Sequence, residues 1–420
     1  METYDLAVIG GGASGLAAAL AAAESAQTKG YPVRVAVLEK NPRVGKKLLT
    51  TGNGRCNLTN MHLTPDCYHG DVPAAGAILR RFPPGKIVRL FRSEGLFCRE
   101  LDGGRVYPYS LQASSVLNTL RRGLESCGAD MICDFPVNRI ENIPGGFAAV
   151  SGDRKVKARK IVVATGGKAC PQSGSDGSGY ALLHPFRHSI TELRPALVQI
   201  RTDAKRTRPL KGVRCIAVAS LLAGGKTFQK AEGEVQFTEN SLSGICIFEL
   251  SRLAGESCAE TLEISLDLAP EYHSDELARQ FHAQAERFGS GPASALAEGM
   301  LNRSLASEVV KTALDGASVP AGLLSGGDCA EIAAEMKDFR FPVLGTLSWQ
   351  NAQVTAGGVP LAEVDSGLQS RFCQGLYLCG ELLNVDGGCG GFNLQWAWAS
   401  GITAGLAAAE ALVPAGKGET

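Results

Sequence analysis

Neither sign of charge is in excess in this chain of 420 residues: lysine plus arginine total 42, and aspartate plus glutamate total 42. With no net field to recruit a polyanion, neither a nucleic acid nor a membrane surface is expected as a partner. No apolar run reaches membrane-spanning length without interruption. Residues 6–23 imitate the core of a secretory leader, with Ala21–Ala23 in the small-residue pattern of a cleavage site. Glu2 and Asp5, however, stand where a leader needs basic residues. The thirteen cysteines include no C-x-x-C pair and no metal-ligand spacing. They are expected to be buried, reduced side chains, with no metal bound. His184 and His188 lie four apart, but Pro185 interrupts the helix that would align them on a metal. Repeats, low-complexity segments beyond the alanine-rich helices, and any Ser-His-Asp spacing are also missing. What remains is an ordinary globular composition, 45% hydrophobic and 20% charged, long enough for two or three domains. A soluble, cytoplasmic protein is expected.

The chain opens on an informative pattern. Leu6–Ile9 is an apolar run, Gly10, Gly12 and Gly15 give G-x-G-x-x-G, and Leu16–Ala23 begins an alanine-rich helix. Gly30 and Pro32 end that helix, Val33–Leu38 reads as a second strand, and Glu39 stands at its tip. Together these form the βαβ fingerprint of a dinucleotide site: glycines for a tight turn, close approach to a diphosphate and close helix packing. The helix N-terminus supplies positive potential to the diphosphate. Glu39 would accept from both ribose hydroxyls and repel a ribose 2′-phosphate, so FAD or NAD is expected rather than NADP.

Lys160–Ala164, followed by Thr165-Gly166-Gly167, and Gly375–Cys379, followed by Gly380 and Glu381, read as further strands of the same domain. Asn393–Leu412 reads as its last helix. With pieces at both ends, the nucleotide domain (residues 1–192 and 357–420) must carry the middle as an insertion. Residues 193–266 and 338–356 are rich in short β-runs, and 267–337 have helical apolar spacing. The expected fold is α/β: a Rossmann-like FAD-binding domain of the glutathione-reductase type, a β-barrel-like insert and a small helical subdomain. Pro414–Thr420 reads as a frayed tail.

Two segments carry chemistry. GKKLLTTGNGRCNLTN (45–60) puts Thr50, Thr51, Asn53, Arg55, Asn57, Thr59 and Asn60 within eleven residues, a density suited to an extended polar ligand. Lys46, Lys47 and Arg55 can balance a diphosphate or an electron-rich ring. GELLNVDGGCGGFNLQWAWASGITAG (380–405) places Glu381 to accept from ribitol hydroxyls, and its glycine cluster lets backbone approach a planar ring. The helix beginning at Asn393 would stabilise negative charge on a reduced flavin, which favours FAD over NAD. Arg105, Tyr107 and Tyr109 form a compact donor set, the candidate catalytic group, with tyrosine as a proton donor or enone-oxygen ligand; structural tyrosines at a domain junction are the competing reading. Cys56, between Arg55 and Asn57, reads as a packed loop residue rather than a reactive thiol. Leu301, Leu305 and Val309 read first as helix core and second as the lining of an apolar pocket.

These segments, with GRVYPYS (104–110), ATGGKACPQSGSDGSGY (164–180) and VTAGGV (354–359), resemble the bacterial FAD-dependent flavoproteins of the aminoacetone-oxidase-like family, which includes a 3-dehydro-bile acid delta(4,6)-reductase. They span almost the whole chain in the family's order. The resemblance implies FAD contacts at Ser14, Glu39, Lys40, Lys47, Asn53, Arg55, Thr165, Gly380, Glu381 and Asn393. Gly10, Gly12, Gly15, Gly54, Gly166, Asp386, Gly391 and Phe392 complete the candidate cofactor set. Where many members carry a Thr-His pair and a Ser-Gly-Pro turn, this chain has Phe237-Thr238-Glu239-Asn240 and Ser243-Gly244-Ile245. The resemblance implies an oxidoreductase that takes hydride from NADH or NADPH and reduces an electron-poor C=C bond of an apolar enone, with a steroid-like substrate such as an oxo-bile acid as the class it suggests. A second G-x-G-x-x-G is missing, so nicotinamide would bind only transiently. An amine oxidase using oxygen, and a flavin-bearing electron-transfer or binding module, remain as alternatives.

Overall fold

A computed structural model describes residues 2–31, 33–255 and 261–413. Pro32 and the tail Pro414–Thr420 lie outside the described residues. Two compact units emerge: residues 1–194 with 353–420, and residues 195–352.

The first unit is built on a largely parallel sheet. Glu2–Ile9 lies in its middle, parallel to Val35–Leu38 on one side and to Arg154–Val163 on the other. Asp130–Ile132 extends the first side and Leu376–Leu378 the second, both parallel. The hairpin of Arg139–Ile143 and Gly146–Ser151 pairs antiparallel to the early half of Arg154–Val163. These strands read as continuous apolar runs because both faces are covered; Leu6, Ala7, Val8, Ile161, Val162 and Val163 are fully buried or nearly so. Strand order reverses at Glu2–Ile9, so a crevice opens beyond its C-terminal end, where ligands of open α/β sheets bind.

Helix Ala13–Thr28 follows the glycine turn and packs along the last helix, Phe392–Glu410. Their alanine and glycine faces let the backbones touch: a Cβ on Gly401 would strike the Ser14 carbonyl, and one on Gly405 the Ala18 carbonyl. This contact sets the ends of both helices toward the sheet's C-terminal edge. A three-stranded antiparallel sheet of Thr59–Asn60, Arg105–Pro108 and Cys98–Leu101 completes the neighbourhood.

The second unit is a six-stranded antiparallel sheet, ordered Ile200–Arg201, Ser241–Ser243, Lys226–Phe237, Arg214–Ala223, Leu262–Asp267 and Phe339–Pro342. Backbone bonds join its two edges: Arg201 N–H donates to Gly345 O (2.8 Å) and Leu344 N–H to Arg201 O (2.8 Å). The sheet thereby curls toward closure. Phe237, Phe341 and Leu266 from the strands share one apolar core with Phe281, Leu305, Val309, Ile332 and Met336 from the helices. Leu301, Leu305 and Val309 are therefore core residues.

Candidate cofactor site

Three glycines of the opening turn do three different things. Gly10 has φ +108°, and a Cβ there would strike the Ala164 carbonyl of the neighbouring strand. A Cβ on Gly15 would overlap the Gly10 carbonyl oxygen, so the helix can lie on the turn only with glycine at that place. Gly12 has no atom within 4 Å of where its Cβ would stand. It is the N-cap of Ala13–Thr28 and no side chain caps that helix. An uncapped helix N-terminus facing open space through a glycine is an anion site of the dinucleotide type.

Glu39 is 7% exposed and already held. Its Oε2 accepts from Gly11 N–H (2.8 Å), and its Oε1 accepts from Asn41 N–H (2.8 Å) and Asn41 Nδ2 (2.6 Å). A carboxylate has about four lone-pair positions. Glu39 thus fixes the glycine turn and keeps limited capacity for a ribose. Lys40 pairs with Asp176 at 2.8 Å, and Asn41 Nδ2 reaches Ser173 O, so residues 173–178 are tied down beside this carboxylate.

Lys47, expected to balance a diphosphate, instead spends its charge inside the protein: Nζ lies 2.8 Å from Glu381 Oε2 and 3.2 Å from Ala169 O. Glu381 Oε1 accepts from Thr355 N–H at 2.9 Å. Gly380 has φ +77°; its N–H donates to Ser400 Oγ, its carbonyl accepts from Trp396 Nε1, and a Cβ there would strike Ser14 Oγ.

The polar run 45–60 divides. The Thr50 and Thr51 hydroxyls bond back to Lys47 O and Leu48 O. Thr59 Oγ1 donates to Gln395 Oε1, and Asn60 Nδ2 to Gly103 O and Gly390 O. Asn53 (φ +55°) and Gly54 (φ +81°) form an exposed turn, with the Arg55 guanidinium 5.3 Å above the Tyr107 ring. Cys56 is fully buried, and burial pushes its thiol up to about 12, the opposite of an activated nucleophile.

Around the last helix, Gly391 (φ +104°) is the N-cap and has no room for a side chain: a Cβ would lie 2.7 Å from Thr59 O and 2.8 Å from Asn57 Oδ1. Asn393 folds back rather than outward, its Oδ1 accepting from Gly387 N–H and its Nδ2 donating to Gly387 O and Gly388 O. Phe392 meets Tyr68 edge to face, and Asp386 is buried in Val385–Gly387. Of the donor set, Tyr107 is 5% exposed, Arg105 Nε is bound to Asp102 O, and Tyr109 is 64% exposed beneath the Arg99 guanidinium at 3.7 Å. His188 sits in a buried chain, Nδ1 to Glu363 and Nε2 to Ser370, both 2.8 Å.

Among the described residues, several buried polar atoms have no partner in protein, Thr165 Oγ1 and Asn57 Oδ1 among them. Thr165 follows the strand beside Gly10, but its Oγ1 packs against Gly179, whose Cβ would overlap it; Asn57 Oδ1 stands beside Gly391 at the start of the last helix. The orphaned acceptor of Asn57, two helix N-termini without side-chain caps, the opening at Gly12 and the acid ending the second strand fit a dinucleotide cofactor. Sequence reasoning passed over Thr355, Gln395, Trp396 and Trp398 here. The indole of Trp398 donates to Leu58 O (2.9 Å); only the polar-aromatic content of an otherwise apolar helix could have flagged such ties.

Fold and site together define a Rossmann-like FAD-binding flavoprotein of the oxidoreductase class. The chain belongs to the family described as the HI0933-like protein Rossmann domain, whose model matches residues 4–407. It is 36% identical over 409 residues to a 3-dehydro-bile acid delta(4,6)-reductase of Clostridium scindens, covering 96% of this chain and 99% of that protein. It is 26% identical over 413 residues to a ribosomal RNA dihydrouridine synthase of Escherichia coli, covering 95% and 96%. Among solved structures, the open conformation of a flavocytochrome c3 fumarate reductase matches with a TM-score of 0.50 at 16% identity, over 98% of this chain and 79% of that one. That likeness concerns the fold.

Proposed function

We propose that this protein is an FAD-dependent reductase that saturates an electron-poor C=C bond conjugated to a carbonyl, with a reduced nicotinamide as transient donor and an apolar, steroid-like enone as substrate. The observation that carries the reading is the end-to-end similarity to the bile acid reductase, across a chain whose crevice fits the cofactor. The names of the two relatives given above point to one type of bond: a C=C conjugated to a carbonyl, in a 3-oxo-4,6-diene and in the uracil ring of uridine.

FAD, when bound, supplies the two-electron carrier. The chain's own residues do the rest. Gly12 and the helix behind it receive the diphosphate, and Glu39 the adenosine ribose. Asn57 offers its unpartnered Oδ1 to the cofactor, Thr165 backs the glycine turn, and the N-terminus of Phe392–Glu410 favours negative charge near Gly391. Ser14, Lys40, Lys47, Asn53, Gly54, Arg55, Gly166, Gly380, Glu381, Asp386, Phe392 and Asn393 line or brace this path. Within the donor set, Tyr107 is the proton donor to the second carbon, with Arg55 above its ring to stabilise the phenolate left behind. Arg105 and Tyr109 orient the substrate.

The test is an anaerobic visible spectrum of the purified protein, recorded before and after NADH and then NADPH, followed by 3-oxo-4-ene steroids and a uridine oligonucleotide. Bleaching by a nicotinamide and recovery with an enone steroid support the reading, and Tyr107→Phe should then slow recovery without slowing bleaching. Recovery with the oligonucleotide alone moves the substrate to RNA. A flavin that neither nicotinamide bleaches removes the proposed donor.

A further inference from the structure

Four segments far apart in sequence meet in one closed ring of polar contacts. Lys47 Nζ binds Glu381 Oε2 (2.8 Å) and Ala169 O (3.2 Å). Glu381 Oε1 accepts from Thr355 N–H (2.9 Å). Thr355 Oγ1 then accepts two backbone N–H groups, from Lys168 (2.7 Å) and Ala169 (2.9 Å), which closes the circuit. Thr355 is 1% exposed and its bond from Ala169 is buried, so the Ala169 N–H could not turn to water if its acceptor were lost; the Lys168 N–H is half-buried. Gly167 leaves room for this arrangement: a Cβ there would strike Thr355 Oγ1 and stand 2.9 Å from Glu381 Oε1.

The circuit has a consequence for the crevice. The segment following Arg154–Val163 carries Thr165, whose Cα backs Gly10, and it is anchored three to four residues later on a single hydroxyl oxygen. Glu381 follows Gly380, which meets Ser14 of the first helix. Both segments therefore take their place from one threonine 186 residues away from Ala169 in the chain. Hydroxyl oxygen can accept two such bonds at once while its own hydrogen remains available; valine, of the same shape, can accept none.

We propose that Thr355 is a positioning residue for FAD: it holds Glu381 and the Thr165–Ala169 segment in one geometry, and without its hydroxyl the crevice loosens. The inference rests on the reading of the crevice as the FAD site. FAD affinity is therefore measured first on wild-type apoprotein by flavin-fluorescence titration, beside the melting midpoint of the apoprotein. Absence of binding there overturns the FAD reading itself, and this inference with it. Given wild-type binding, Thr355→Val should weaken FAD by about tenfold or more, as expected when a buried and a half-buried N–H lose their shared acceptor, and Thr355→Ser should restore it. A Thr355→Val protein that melts lower yet binds FAD as wild type would show a merely structural threonine and overturn the proposal. Lys47→Met opens the same ring at its half-buried edge and serves if the valine variant does not fold; unchanged FAD affinity in it would equally refute the ring. Where both fold, the double variant should bind little worse than Thr355→Val alone. Fully additive losses would mean that Thr355 does not act through the carboxylate Lys47 holds.

Discussion

Substituting alanine at Gly12 and at Gly15 separates a glycine kept for a ligand from one kept for the fold. At Gly15 the new methyl group overlaps the Gly10 carbonyl oxygen and stands 3.3 Å from Ala164 Cβ. Overpacking of this kind costs about 1–3 kcal/mol, so Gly15→Ala should lower the stability of the apoprotein. At Gly12 the same methyl meets nothing within 4 Å, and φ −82° with ψ −171° suits alanine. Alanine is a poorer N-cap than glycine by roughly 0.5–1 kcal/mol, and stiffening the unfolded chain returns about 0.4–1 kcal/mol, so the apoprotein should melt unchanged. The diphosphate, however, must approach through that space. A methyl group in its path should weaken FAD by about 1.4–3 kcal/mol, roughly 10–100-fold in Kd. The assay pairs apoprotein melting with fluorescence titration by FAD. If Gly12→Ala binds within about twofold of wild type, the turn is not where the diphosphate lies, and the argument from open space at Gly12 fails.

Two further outcomes are expected. Glu39→Gln keeps the shape but gives up the charge-assisted acceptor for Gly11 N–H, worth about 1.5–3 kcal/mol, so flavin should wash out on desalting; full retention would remove Glu39 from nucleotide binding. Burial, then the neighbouring Glu94 carboxylate, pushes Glu24 up to about 7. The folded chain therefore keeps a proton that the unfolded chain releases near pH 4.5, and stability falls as pH rises from there through 7. Glu24→Gln should be more stable than wild type by about 1–2 kcal/mol at pH 8, discounted for partial exposure, and nearly equal at pH 5. Urea denaturation at both pH values reads this, and an equal gain at both would refute the shift.

Local patterns reported local physics. The apolar run, the glycine spacing and the terminal acid marked the first βαβ unit because Gly10 and Gly15 answer constraints within a few residues or on the adjoining strand, while Gly12 keeps open space at the helix start. The apolar spacing of residues 301–309 likewise marked a buried helix face, as Leu305 and Val309 show. Polar side chains were harder to read, since composition counts donors without naming their partners. Lys47 and Asn393 looked like ligand contacts; the first is held by Glu381 and Ala169, and the second pins its own glycine loop. Thr50 and Thr51 bond their own helical turn, and Glu39 already holds Gly11.

By itself, then, the amino-acid order determined the class of fold, the type of cofactor and which turns must contain glycine, all set by spacing along a strand or a helix. Tertiary structure decided which polar groups are left over for a ligand. Asn57 keeps an unpartnered atom, while Thr59, Asn60 and Lys47 do not. A hydrogen bond or ion pair is satisfied by proximity, and in this crevice the partners come from segments more than a hundred residues apart in the chain.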